Sequence, residues 1–396
     1  MAGWDNHRVY RGRSDTERRQ YGDEELWRYR TNAYNRNEVI RPLDVPIVHP
    51  LAEDSPPPDD EHCEQMYIVA GCTLATLITK NLLVHPFVVL RRQCQVNPGA
   101  TRYHIIPITL VPVIIKLHQT QGLSILWKGV GSLLLVRGMT LAIEDLLSKL
   151  TPWPKKIPSN CTPRSFWQHL MLKCVAAGLM APFYSASLVE TVQSDIVSEG
   201  TGILDVFRDG ALRLVEVSNK GRLIPMYYLL PPTIAYEISK YLLVFIVKGI
   251  SNRIMMIKHK HAQGKGGAYT RDVVPEAVAQ DIELKSIVIS VCIADVILYP
   301  METVINRLHL QGTRTIIDNL DNGRSVTPLL TGYSGVLDCY RTIISTEGPL
   351  GLYKGFGGLI LQYAVHFMVL RTTKWLLTEL GNMLRPVPKR NPRIPK

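Results

Sequence analysis

The sequence predicts an all-α membrane protein: six transmembrane helices in three repeats, with a short amphipathic helix between the long helices of each pair. Three observations lead there. Six apolar segments reach the length of a bilayer crossing. Short motifs recur at matching places in the chain. A polar, charged head precedes this body, and a basic Pro-rich tail follows it.

The head comprises residues 1–62, the membrane domain 63–381 and the tail 382–396. The head lacks apolar periodicity and sets Pro56-Pro57-Pro58 beside Asp59-Asp60-Glu61, a composition that cannot bury enough surface to fold. It reads as a disordered, solvent-facing segment. Trp4 and Trp27 leave open a short partner-binding motif. It has no apolar stretch of the kind a secretory signal needs. In residues 1–60 nine Arg stand among twelve Asp and Glu, against a cleaved mitochondrial presequence, which is poor in acids.

The six apolar segments run over 66–95, 129–149, 167–195, 223–250, 284–308 and 355–381, each near the roughly 20 residues a span requires. Lys80, Arg137, Glu190, Glu237, Lys240, Asp295 and Glu302 fall within or near them. A charge facing lipid at mid-bilayer costs about 2.5–3.5 kcal/mol on insertion scales, so these side chains are expected to face the bundle interior or the interface. Amphipathic stretches lie between paired segments, at 105–119, 203–215 and 336–346. The third has apolar residues at 336, 337, 340, 343 and 344, a helical period suited to a membrane surface.

The repeat is legible in short motifs. Gly202-Ile203-Leu204-Asp205-Val206-Phe207 matches Gly335-Val336-Leu337-Asp338-Cys339-Tyr340. Leu126-Trp127-Lys128-Gly129 matches Leu352-Tyr353-Lys354-Gly355, with Gln121-Gly122 and Glu347-Gly348 ahead of each. His85-Pro86 and Tyr299-Pro300 sit late in apolar segments, and Val189-Glu190-Thr191-Val192 matches Met301-Glu302-Thr303-Val304. The repeats cover about 66–149, 167–250 and 284–381. A proline inside a long helix removes a hydrogen bond and kinks it, so kinked helices can converge and close one end of a bundle.

Composition excludes other classes. The net charge is +11, but no zinc spacing, aromatic–basic stacking motif or recognition helix accompanies it, so nucleic acid is not expected; Lys and Arg at helix ends are the expected use. Seven cysteines show no CxxC and no regular spacing, so neither a metal site nor a disulfide framework is expected. His85, His104, His118, His309 and His366 are scattered, with no Ser, Cys or carboxylate at motif spacing. No catalytic site and no cofactor are expected.

Residues 66–381 resemble the mitochondrial carrier family, solute carrier family 25. That family repeats Pro-x-acid-x-x-base on odd helices and an aromatic–basic–Gly step before even ones. The resemblance implies six helices around a central cavity, with ion-pair networks gating each end. Here the networks are incomplete. Pro86 is followed by Val88 in place of the acid and by Arg91 as the base, with Gln95 at the family's brace position. Pro300 is followed by Glu302, but Ile305 replaces the base. In repeat two Glu190 remains, Leu188 takes the proline position and Gln193 the basic one; Pro182 lies six residues upstream. Glu302–Arg91 is the one pair with both partners. At the opposite gate Tyr236, Glu237 and Lys240 fit the even-helix motif, while Arg371 stands where an acid belongs, before Lys374, and Glu144-Asp145 with Lys149 is out of register. The cavity positions used by nucleotide carriers fall on Val136 and Gln362, with Arg137 one residue off.

The stretches His85–Asn97, 295–319 and 182–188 resemble atypical outer-membrane members of this family. That resemblance implies a multi-pass protein of the mitochondrial outer membrane, in contact with mitochondrial membrane lipids. It implies an adaptor working with proteins of mitochondrial fusion, fission and cristae organisation, and with lipid homeostasis. A genuine solute transporter is the second reading. The polar insertion 311–333 is expected to be either a partner surface or a disordered linker.

Overall fold

The computed structural model describes residues 60–157, 162–194, 203–215, 224–264, 275–321 and 325–384. The head before residue 60 and the tail beyond residue 384 lie outside them. The chain runs through α1 (Asp60–Ile78), a π-helical turn (Thr79–Leu83), α2 (His85–Val96), a 3-10 turn (Pro107–Leu110), α3 (Val111–Gln121) and α4 (Val130–Leu150). Next come α5 (Pro163–Val192), α6 (Ile203–Val215) and α7 (Met226–Gly264). It ends with α8 (Glu276–Ile297), α9 (Tyr299–Leu310), strands β1 (Ile316–Asp318) and β2 (Val326–Pro328), α10 (Val336–Glu347) and α11 (Phe356–Leu384).

Proline breaks two of the predicted long helices. Pro86 has no N–H to give the carbonyl four residues back, Leu82. That carbonyl instead accepts from the Trp127 indole at 3.0 Å, and α2 starts afresh at His85. Pro300 sits in the first turn of α9, and α8 and α9 meet at 66°. Pro182 behaves otherwise: α5 runs unbroken past it.

Among the described residues, three helices are long and apolar enough to cross a membrane: Met66–Leu83, Pro163–Val192 and Met226–Ala262. The bent pair α8–α9 makes a fourth if it is one span. This is fewer than the six apolar segments of the sequence. α4 carries Arg137, Glu144, Asp145 and Lys149 in 21 residues, and α11 carries Gln362, His366, Arg371, Lys374 and Glu379. Their length suffices and their composition does not. Both nevertheless expose large apolar side chains, as does α1: Leu134 and Leu146 on α4, Phe367, Met368 and Trp375 on α11, Leu74, Leu77 and Ile78 on α1. Water penalises such surfaces and hydrocarbon does not.

α4 packs along α5, α7 along α8 and α11 along α1, while α2, α5 and α9 meet one another at one end. On α10, Cys339 and Ile343 are buried against the bundle, and Leu337, Tyr340 and Ile344 point outward. The apolar stripe read from the sequence is therefore divided between core and surface.

The recurring motifs make recurring contacts. The His85 ring N–H donates to the Lys128 carbonyl at 2.8 Å, and the Tyr299 hydroxyl donates to the Lys354 carbonyl at 2.7 Å. In each case the residue before the helix-breaking proline anchors the step that starts the next long helix. The following glycines, Gly129 and Gly355, have φ of +70° and +79°. A Cβ on Gly129 would stand 2.9 Å from Thr191 Oγ1, and one on Gly355 2.7 Å from Cys94 Cβ and 3.0 Å from the Arg91 carbonyl oxygen. Left-handed backbone costs a residue with a side chain about 1–2 kcal/mol, and overpacking adds about 1–3 kcal/mol. Gly355→Ala is thus expected to lose about 2–4 kcal/mol. The check is the thermal unfolding midpoint of the purified protein; Gly249→Ala, whose Cβ would meet nothing within 4 Å, is the control.

Candidate functional site: the closed end and interior of the bundle

The closed end is built from α2, α5 and α9. Arg91 Nη2 lies 2.8 Å from Glu302 Oε1, with both side chains under a tenth exposed. The Arg91 guanidinium also stands 5.9 Å from the Tyr299 ring centre. Pro86 and Pro300 open the two short helices that bring these residues together. Glu190 takes no part in this pair, and its Oε2 is buried without a hydrogen-bond partner. Its counterpart base is Ile305, a buried apolar side chain.

Neutral hydrogen bonds and one further cluster occupy the rest of this end. Gln95 Oε1 accepts from Asn306 at 2.9 Å, and the Gln95 carbonyl accepts from Arg307 Nε at 2.8 Å. Asn306 Oδ1 accepts from the Tyr184 hydroxyl at 2.9 Å. Arg92 donates to Thr191 at 3.3 Å and lies over the Tyr184 ring. Glu347, at the end of α10, receives Arg307 through both guanidinium nitrogens at 2.5 and 2.9 Å, and Lys354 at 2.7 Å. Gln95 therefore braces α9 through Asn306 and Arg307.

At the opposite gate the structure departs from the predicted network. Lys240 binds Asp295 of α8 at 2.8 Å and stands over the Tyr236 ring, while Glu237 is exposed. The Tyr363 hydroxyl donates to the other Asp295 oxygen at 2.7 Å. Lys374 reaches Asp281 at 3.0 Å, Glu144 holds Lys173 at 2.7 Å, and Lys248 holds Glu283 at 2.8 Å. These bonds join α11 to α8, α4 to α5 and α7 to α8. They staple helices together where a gate would join even helices in a ring.

Of the cavity candidates, Val136 is buried, Gln362 is half-buried and Arg137 donates to Asn81 across to the π-helical turn. Asp295, Tyr363 and Asn81 belong with them and were not singled out in the sequence as site residues. Asp295 carried a signal, being a lone acid five residues before Pro300 in an apolar stretch. Of its partners, Lys240 stood in the even-helix motif, whereas Tyr363, distant in the chain, carried no signal.

The insertion 311–333 is not a disordered linker where it is described. β1 and β2 form an antiparallel hairpin, and Ile317 and Asp318 are buried. Beyond β1, Asp321 accepts from the Thr101 and Arg102 backbone N–H groups at 2.7 and 3.0 Å and from the Thr101 hydroxyl at 2.9 Å. Partial burial pushes this carboxyl up, but those donors outweigh it and hold it below the usual aspartate range. A carboxyl with a depressed folded pKa stabilises above its unfolded pKa, and the contribution fades as pH falls through the folded value. Acidification below about pH 4 is expected to loosen the 100–104 loop. Amide exchange there should rise in acid for the wild-type protein and be already raised, with less pH dependence, in Asp321→Asn.

The sequence model of the mitochondrial carrier protein family matches residues 284–380. The chain is 42% identical over 313 residues to the mitochondrial outer membrane protein SLC25A46 of Homo sapiens, covering 78% of this chain and 74% of that protein. It is 40% identical over 321 residues to the protein of that name in Mus musculus, with the same coverage. In Danio rerio the match is 38% over 364 residues, covering 87% and 89%.

Proposed function

We propose that this chain, which belongs to the mitochondrial carrier family, is a non-enzymatic, multi-pass protein of the mitochondrial outer membrane whose bundle serves as a scaffold for protein partners. Its six long segments make three carrier-type repeats of two spans each, with α3, α6 and α10 at the surface between them. α4 and α11 cross despite their charges because the charges turned toward other helices are partnered: Glu144 by Lys173, Arg137 by Asn81, Lys374 by Asp281. The outer-membrane location is carried over from relatives that bear it in their names. The roles are those of an adaptor in mitochondrial fusion and fission, cristae organisation and lipid homeostasis.

One observation carries the scaffold reading. Alternating access needs two networks, each stabilising one state over the other. At the closed end only Arg91–Glu302 retains both family partners, and at the other end the pairs staple adjacent helices. The 1–59 head is the candidate partner segment. The hairpin is the weaker candidate because β1 is committed to the bundle, leaving only the β2 side, with Val326 and Leu330, exposed. Removing residues 1–59 while keeping membrane insertion is expected to abolish partner recovery and alter mitochondrial shape. Normal shape and normal recovery in that deletion would refute the assignment to the head.

A transporter of unknown substrate is the second reading. It rests on Lys240, Asp295 and Tyr363, which bring charge and a hydroxyl from three different helices to one place in the interior.

A further inference from the structure

The hairpin that follows α9 touches every element of the closed end. Ile317, fully buried, packs in one apolar cluster with Val96 of α2, Leu188 and Val192 of α5 and Leu310 of α9. Leu320 joins a second cluster with Leu90 and Cys94 of α2 and Leu117 of α3. β1 also extends onto the end of α5: Gln193 bridges Ile317, and the Ser194 N–H donates to the Ile316 carbonyl at 2.8 Å.

Asp318 is the polar centre of these contacts. Its carboxylate is 2% exposed and accepts from Ser194 Oγ at 2.7 Å, Gln121 Nε2 at 3.1 Å and Gln93 Nε2 at 3.4 Å. The donors stand just beyond the end of α5, on α3 and on α2. Asp321 takes the loop after α2, and the Gln311 side chain fastens the base of the segment to both the N–H and the carbonyl of Tyr333. A passive connection runs over the surface and satisfies its polar groups with water. Here they are satisfied by three other elements of the bundle.

We infer that this segment is a strap that holds the closed end shut, so that the bundle is arrested in one state. For the end to open, α2, α5 and α9 must separate. That motion would strip Asp318 of donors on at least two elements and pull Ile317 from a cluster shared by all three. A buried carboxylate without its donors is strongly disfavoured, so the open state is suppressed for as long as the strap is seated. The inference rests on the fold alone and not on the outer-membrane role, so either can fail without the other.

Hydrogen exchange on the purified full chain in a lipid nanodisc tests it. In the Asp318→Ala/Asp321→Ala double variant, amides over 91–97 and 186–194 are expected to exchange at least about tenfold faster, while 240–250 of α7 and 284–294 of α8 keep wild-type protection. Wild-type protection at 91–97 and 186–194, with 315–321 exchanging freely, would overturn the inference, because the strap would be off and the end still closed. Should the double variant lose protection throughout, Ser194→Ala, which removes one donor, decides. A rise confined to the closed end supports the strap, and a uniform rise or no change refutes it.

Discussion

Glu347→Ala is expected to lower the stability of the purified protein by at least about 3–5 kcal/mol, the figure for breaking one buried ion pair, because a single carboxylate here serves two buried cations. Arg307 and Lys354 have side chains 1% and 0% exposed, and Glu347 meets both. Their remaining acceptors are neutral carbonyls: Gln95 for Arg307, Asn97 for Lys354. Removing the carboxylate would leave two positive charges side by side in a dry site, with nothing to neutralise them. The loss would spread, since Glu347 joins the end of α10 to α9 and to the start of α11, and its own carbonyl accepts from Tyr103 at 2.6 Å. The reading is the unfolding midpoint together with protein abundance in the membrane. Glu347→Gln keeps the shape and loses the charge, so it should fall nearly as far as alanine.

The second large effect is expected at Arg91. Arg91→Ala removes one partner of a buried pair and leaves Glu302 charged among Tyr299, Thr303 and the packed ends of α2 and α9. The expected loss is about 3–5 kcal/mol. Replacing both partners together, Arg91→Met with Glu302→Leu, should cost less than either single change, because neither charge is then stranded. This comparison separates the two functional readings. In a scaffold the pair is structural, and an apolar substitute that folds should keep partner recovery intact. In a carrier the pair must break and re-form in every cycle, and an apolar lock would stop turnover.

The fold was legible in the sequence where chemistry constrains the backbone. His85-Pro86 and Tyr299-Pro300 marked breaks because proline has no N–H, and Lys128-Gly129 and Lys354-Gly355 marked helix starts because only glycine fits the left-handed, crowded position there. Arg91 and Glu302 could be paired in advance because the resemblance to the carrier family implies an ion pair between those motif positions. Pro182, outside the repeat's motif position, lies inside an unbroken helix. The insertion was illegible for a different reason. Asp318 and Asp321 look like solvated loop acids in sequence, and what makes them structural is donors lying 124 to 225 residues away. Asp295 was visible as a lone acid, but Lys240 and Tyr363 became its partners only through the packing of α7, α8 and α11. Pairing across helices is set by geometry that one chain's spacing does not record.

The central claim is that the bundle is a carrier fold held closed and used as a scaffold. Uptake by the full chain reconstituted into liposomes, screened against labelled metabolites, tests it most directly. The prediction is no saturable uptake of any solute, for the wild type and for Glu302→Gln alike. Saturable uptake by the wild type that disappears in a folded, membrane-inserted Glu302→Gln would contradict it.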